Sequence, residues 1–88
     1  MTGRKVVRIT EVRLEGGRRL ALKFDDGTEG VADVSRLLVG PVFDEIRTSH
    51  QAFEQVTLDG YGSISWPNGA DLEAWVLYEL TIAETAAS

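Results

Sequence analysis

The sequence predicts an α+β domain: an antiparallel sheet of about five strands, built from two hairpin units, with short helices packed on one side and a C-terminal helix. Three observations carry this. Arg18 to Phe24 alternates Leu20, Leu22 and Phe24 with Arg19, Ala21 and Lys23, the period of a half-buried strand, and Asp25-Asp26-Gly27 behind it is a hairpin turn. Ser63 to Trp66 alternates again, with Ile64 and Trp66 inward, before Pro67, which has no N–H for a sheet ladder. Leu72 to Leu80 is apolar on more sides than a helix of a small domain needs, with Leu72, Trp75, Val76 and Leu80 on one broad face and Leu77 and Tyr78 outside it.

The elements follow in order. Val6 to Leu14 reads as a strand whose apolar parity slips, Val7 and Ile9 being odd and Val12 and Leu14 even; one extra residue near Thr10-Glu11, a β-bulge, returns both pairs to one face. Gly16-Gly17 turns the chain into the second strand, and Thr28 to Val34 returns from the Asp25-Asp26-Gly27 turn as the third. A three-residue loop with Gly27 as the left-handed bulge residue pairs Phe24 with Thr28 and aligns Ala32 and Val34 with Leu20 and Leu22. A two-residue Asp26-Gly27 turn places Val31 opposite Leu22 instead; the first aligns more apolar residues, and the sequence leaves both open. Asp33 or Ser35 caps a short helix, Ser35 to Val39, that Gly40-Pro41 ends, and Val42 to Arg47 and His50 to Glu54 are helical or turn-like, covering the sheet with Val42, Phe43, Ile46, Ala52 and Phe53. Gln55 to Leu58 is a fourth strand, Asp59-Gly60-Tyr61-Gly62 a turn, and Ser63 to Trp66 a fifth. Pro67-Asn68-Gly69 then forces a corner, with Asp71 as N-cap or first-turn residue of the final helix, about 72–80. Residues 81–88 are small and polar and read as a frayed tail, which leaves one domain over 1–88 with its core at about 5–80.

Composition narrows the function. There is no cysteine and a single histidine, so thiolate chemistry and a zinc site lack their residues, and His50, beside Ser49 on a polar loop, reads as a solvated residue rather than a catalytic base. No apolar run approaches the ~18 residues of a membrane span, and the expected location is the cytoplasm. The carboxylates Asp25, Asp26, Glu29 and Asp33 lack calcium-loop spacing and read as turn and surface residues, so no metal, cofactor or catalytic residue is expected. Charge is uneven: residues 1–23 hold seven of the nine Lys and Arg against Glu11 and Glu15, a net +5, and the remainder carries −10. Arg13, Arg19 and Lys23 make a candidate basic surface on the first hairpin. It has no interleaved aromatics for base stacking, and Glu11 and Glu15 share its parity.

Ile9, Val12 and Leu14, then LALKFDDG from Leu20 to Gly27, DVSRLL from Asp33 to Leu38, Val42-Phe43, Phe53, Val56, ISWPNGADL from Ile64 to Leu72 and Leu77-Tyr78-Glu79 together resemble the bacterial domain-of-unknown-function 2442 family, over about residues 9–79. Asp26, Gly27, Asp33, Trp66, Pro67, Asn68, Gly69 and Asp71 are the structural signature of that likeness; Ala74 departs from it, standing where a proline is expected in many members. The resemblance implies a small α+β fold, a prokaryotic source and, since members are often encoded beside another small protein, a partner; it implies no activity. The expected function is a non-enzymatic interaction module, self-associating or binding a small co-encoded partner through Trp75, Leu77 and Tyr78. The alternative is a nucleic-acid-associated regulatory accessory using the basic first hairpin, which is possible but not favoured.

Overall fold

The computed structural model describes the backbone of residues 6–87 and the side chains of residues 6–82. Alternation in the first third of the chain makes β1 (Ile9–Leu14), β2 (Arg19–Phe24) and β3 (Glu29–Asp33), an antiparallel meander in the order β1-β2-β3. Its inner face is Ile9, Leu20, Leu22, Phe24 and Ala32, all buried. The parity slip is resolved by a bulge: Ile9 pairs with Phe24 but Glu11 with Lys23, leaving Thr10 as the extra residue. Of the two hairpin registers, the three-residue loop is present. Phe24 N–H donates to Thr28 C=O at 2.9 Å, Gly27 N–H to Phe24 C=O at 3.1 Å, and Leu20 stands opposite Ala32.

Asp33 accepts the Ser35 N–H at 2.9 Å and opens a 3₁₀ turn, Ser35–Leu37, and a second turn, Pro41–Phe43, leads into α1 (Asp44–Thr48) and α2 (His50–Phe53). The Ser49 hydroxyl accepts the Ala52 N–H and caps α2. These short pieces deliver Phe43, Ile46 and Phe53 to the core, where Phe43 and Phe53 ring Trp66 at centroid distances of 6.1 Å.

Five expectations fail beyond this point. Five strands do not share one sheet: β4 (Thr57–Leu58), β5 (Ile64–Ser65) and β6 (Asp71–Leu72) form a second three-stranded antiparallel sheet, in the order β4-β5-β6. Pro67-Asn68-Gly69 is not a corner from strand to helix but the hairpin loop between β5 and β6. Asp71, expected to cap the final helix, is instead a strand residue opposite Ser65. Two-residue strands are too short to show alternation, so the pattern that marks β2 and β3 is missing from β6. The last helix, α3 (Ala74–Ala87), starts two residues later than expected, its first N–H donated to the Ser63 hydroxyl at 3.2 Å. It also continues past Leu80. Thr81, read as the start of a frayed tail, is buried and donates its hydroxyl to Leu77 C=O at 2.7 Å.

Between the two sheets, a backbone bond joins Ile9 N–H to Gly62 C=O at 2.7 Å. Arg8 lies against Gly62 so closely that a Cβ there would stand 2.8 Å from Arg8 Cβ, which is why the Asp59-Gly60-Tyr61-Gly62 turn ends on glycine. One hydrophobic cluster runs from Val7 and Ile9 through Leu22, Leu38 and Phe53 to Trp66 and Leu77, so both sheets and α3 share a core.

Candidate interaction surfaces

Of the three residues expected to form an interaction surface, the helix they share turns Leu77 inward and leaves Trp75 and Tyr78 on its outer half. On α3, Ala74, Leu77 and Thr81 recur at helical spacing and face the core; Leu77 is 0 % exposed and is removed from any binding surface by its own chain. Tyr78 is half-buried. Its ring meets Phe24 edge-on at 5.1 Å, its hydroxyl donates to Asp26 Oδ2 at 2.6 Å, and it accepts from Thr28 Oγ1 at 3.4 Å. Tyr78 therefore locks α3 onto the β2–β3 hairpin. Trp75, one turn before Tyr78 and so beside it on α3, is also half-buried, its indole N–H donating to the Glu73 carboxylate. With Val76, half-buried and grouped with it on one face by the sequence, it forms an apolar outer side to α3 that Ile82, 44 % exposed and beyond the helix end the sequence predicts, extends.

Every base of the candidate basic surface meets an acid. Across the outer face of the first sheet, Lys23 stands between Glu11 on β1 and Glu29 on β3, and Arg19 stands opposite Asp33. Arg13 Nε lies 3.1 Å from Glu11 Oε2. Hydrogen bonds from Ser35, helped by the charges of Arg19 and Arg36, hold the Asp33 carboxyl below its ordinary value of 3.8. The face is a checkerboard of alternating sign, as cross-strand neighbours favour.

The signature residues serve turns. Asp26 Oδ1 accepts the Thr28 N–H at 2.9 Å, and Asn68 Oδ1 the Ala70 N–H at 3.0 Å. Gly27 and Gly69 take positive φ, 93° and 95°. Trp66 is buried, with its indole N–H on Phe53 C=O at 2.9 Å. Beside it an open cleft of about 310 Å³ is lined by Glu45, Ile46, Ala52, Gln55, Pro67 and Asn68. The Asn68 amide there is already engaged on both sides, by Ala70 N–H and by Val42 C=O at 3.0 Å.

His50 is exposed, in keeping with its reading as a solvated residue, and both of its ring nitrogens have neighbours. Arg18 reaches Nδ1 at 2.9 Å and Glu54 lies 3.1 Å from Nε2, so with a neutral ring the Arg18 guanidinium donates to Nδ1 and Nε2–H faces Glu54. Arg18 also lies over the Phe53 ring at 5.0 Å and donates to Arg47 C=O at 2.9 Å, clamping the helical segment to the first hairpin. Nothing in the spacing of Arg18, His50 and Glu54 along the chain announces this contact. Arg4 and Lys5, counted with the basic end, lie outside the described residues. Among the described residues no group of three His, Asp or Glu side chains could hold a metal ion, and no helix is long and apolar enough to cross a membrane.

No curated protein and no solved structure matches the chain significantly. A family model does, that of DUF2442, protein of unknown function, over residues 9–83. A match over that much of the chain, on the strands, turns and helix just described, means that the chain belongs to the DUF2442 family.

Proposed function

We infer that this chain is a non-enzymatic cytoplasmic interaction module that binds a small protein partner through the outer side of α3. The observation that carries the reading is the composition of that side: Trp75, Val76 and Ile82 around Glu79, with Glu73 just ahead of the helix, and no Lys, Arg or His on it. Trp is enriched where binding energy concentrates, and the indole here is oriented by its bond to Glu73. Apolar side chains grouped around a carboxylate suit a partner surface that sets a basic side chain among apolar ones. Phosphate backbones suit it less, and the charge-paired face of the first hairpin offers them no unopposed base.

The test is titration of the full chain with the product of the neighbouring gene. Binding that weakens at least about tenfold in Ile82→Glu and in Trp75→Ala, with circular dichroism unchanged, supports the reading. Binding that neither substitution alters, or no binding at all, overturns it.

A further inference from the structure

The hairpin loop between β5 and β6 holds a chemically labile pair. Asn68 is the only asparagine of the chain, and Gly69 follows it. An asparagine side-chain amide is open to attack by the backbone nitrogen of the next residue, which closes a five-membered ring, and a glycine there puts no Cβ in the way. Asn68 and Gly69 are both exposed, so water reaches them. In the closed turn, however, the reacting groups are all engaged. Gly69 N–H donates to Trp66 C=O at 3.0 Å, Asn68 Oδ1 accepts the Ala70 N–H at 3.0 Å, and Asn68 Nδ2 donates to Val42 C=O at 3.0 Å. Ring closure needs the Gly69 nitrogen to give up its proton and the Asn68 carboxamide to swing onto that nitrogen, and these three bonds oppose both movements.

The reaction balances with water alone. The Gly69 nitrogen loses its proton to solvent and bonds to Asn68 Cγ, the Cγ–Nδ2 bond breaks, and Nδ2 takes a proton from solvent and leaves as ammonia. Water then opens the cyclic imide at one of its two carbonyls. Opening at Cγ leaves an ordinary aspartyl residue, whereas opening at the main-chain carbonyl leaves an isoaspartyl one, with an extra methylene in the backbone. The first hairpin shows how an aspartyl residue behaves in this turn: Asp26 accepts the Thr28 N–H at 2.9 Å, ahead of Gly27, whose N–H donates to Phe24 C=O at 3.1 Å. An aspartyl product therefore keeps the turn but loses the donor to Val42 C=O, the bond that holds the hairpin to the helical segment. The isoaspartyl product also lengthens the loop, so the bonds of the turn no longer fit.

We propose that Asn68-Gly69 is a spontaneous modification site, shielded while the β5–β6 turn is closed and deamidated when it opens, and that deamidation releases the turn from Val42. The inference goes beyond the partner site on α3 and does not rest on it. Ammonia is lost for good, so the step runs one way. The fraction of acid at this position records how long the turn has spent open.

The test is tandem mass spectrometry of the full chain aged at mildly alkaline pH, folded in buffer or unfolded in guanidinium chloride, with isoaspartyl methyltransferase labelling to separate the two products. The unfolded chain is expected to exchange amide for acid at Asn68 and to give both isomers. The folded chain is expected to react about tenfold or more slowly, because its rate is that of the open chain scaled by the fraction of time the turn is open. Asn68→Asp is expected to show neither ammonia release nor mass gain, which assigns both to this position and not to Gln51 or Gln55. In denaturant, the purified isoaspartyl chain is expected to unfold before Asn68→Asp, and Asn68→Asp before the wild type. Equal rates in the folded and unfolded chains, an unfolded chain that does not react at Asn68, or an isoaspartyl chain as stable as the wild type overturns the proposal. Ile82→Glu is expected to leave both rates unchanged, which separates failure here from failure of the α3 reading.

Discussion

Gly62 shows what a single residue contributes to joining the sheets. Its φ of 92° disfavours any side chain, and the space a Cβ needs is filled by Arg8 Cβ at 2.8 Å and Arg8 Cα at 3.1 Å. Gly60, two residues earlier, has a similar φ of 88° but nothing within 4 Å. Gly60→Ala should therefore cost the backbone term alone, about 1–2 kcal/mol. Gly62→Ala should cost about 2–4 kcal/mol, because overpacking against Arg8 adds to it. Urea unfolding of the two variants measures the difference, and equal losses would mean that Arg8 moves aside freely. Asp33 offers a second test at this scale. Its pKa is lowered in the folded chain, by hydrogen bonds from Ser35 first and by Arg19 and Arg36 next. The folded state thus holds the proton less tightly than the unfolded state, and the stabilisation is present above the ordinary value of 3.8 and is lost as pH falls below it through the folded value. Asp33→Asn should flatten the acid limb of a stability-versus-pH curve below about pH 4, with little change in its slope above about pH 6. A wild-type acid limb that persists in the variant would place the dependence on other carboxylates.

At the scale of elements, the molecule uses one turn twice. Phe24-Asp25-Asp26-Gly27-Thr28 and Trp66-Pro67-Asn68-Gly69-Ala70 have the same bonds. In each, the first residue's N–H donates to the fifth's C=O, at 2.9 Å in both, and the glycine N–H donates to the first residue's C=O, at 3.1 and 3.0 Å. In each, an Asp or Asn side chain accepts the N–H that follows the glycine. The first turn is legible because alternating strands flank it on both sides. The second is not, because β6 is two residues long and Asp71 has the chemistry of a helix cap. Comparing the two turns residue by residue is the signal that finds it: an Asx residue and then glycine, behind an inward aromatic. Asn68 also does what Asp26 does not, donating its amide to Val42 C=O at 3.0 Å and so holding the hairpin to the helical segment. Asn68→Asp keeps the acceptor for Ala70 N–H, removes that donor and sets a carboxylate beside a carbonyl. It should lower stability by about 1–3 kcal/mol in urea unfolding. Asn68→Asp with wild-type stability would mean that the Val42 contact contributes nothing.

For the whole molecule, the question is what makes two small sheets one cooperative unit. The legible parts were the α+β class, the bulge at Thr10 and the apolar residues of the first sheet and helical segment, because each is written in local periodicity. The division into two sheets was not, since which strands pair across the segment 35–53 depends on packing that no local pattern records. A single backbone bond, Ile9 to Gly62, directly links the sheets among the described residues, too little to couple them. The coupling lies in the core: Ile9, Leu22 and Phe24 from the first sheet, Ile64 and Leu72 from the second, and Leu77 from α3 belong to one cluster that also holds Trp66. Deleting the Trp66 ring removes its packing with Phe43 and Phe53 and its bond to Phe53 C=O, and should cost about 3–5 kcal/mol. That is a large part of the roughly 5–15 kcal/mol typical of a domain. Cooperativity itself is testable in Trp75→Phe, where Trp66 remains as the sole indole and reports on the second sheet while far-UV circular dichroism reports on the whole. The two unfolding curves should coincide, and Leu77→Ala should shift both together by about 2–5 kcal/mol, because the residue removed touches a core that neither sheet completes alone. Were the second sheet held by its own turns instead, Trp66 fluorescence would change at a different urea concentration from the dichroism, and Leu77→Ala would move one curve and leave the other in place.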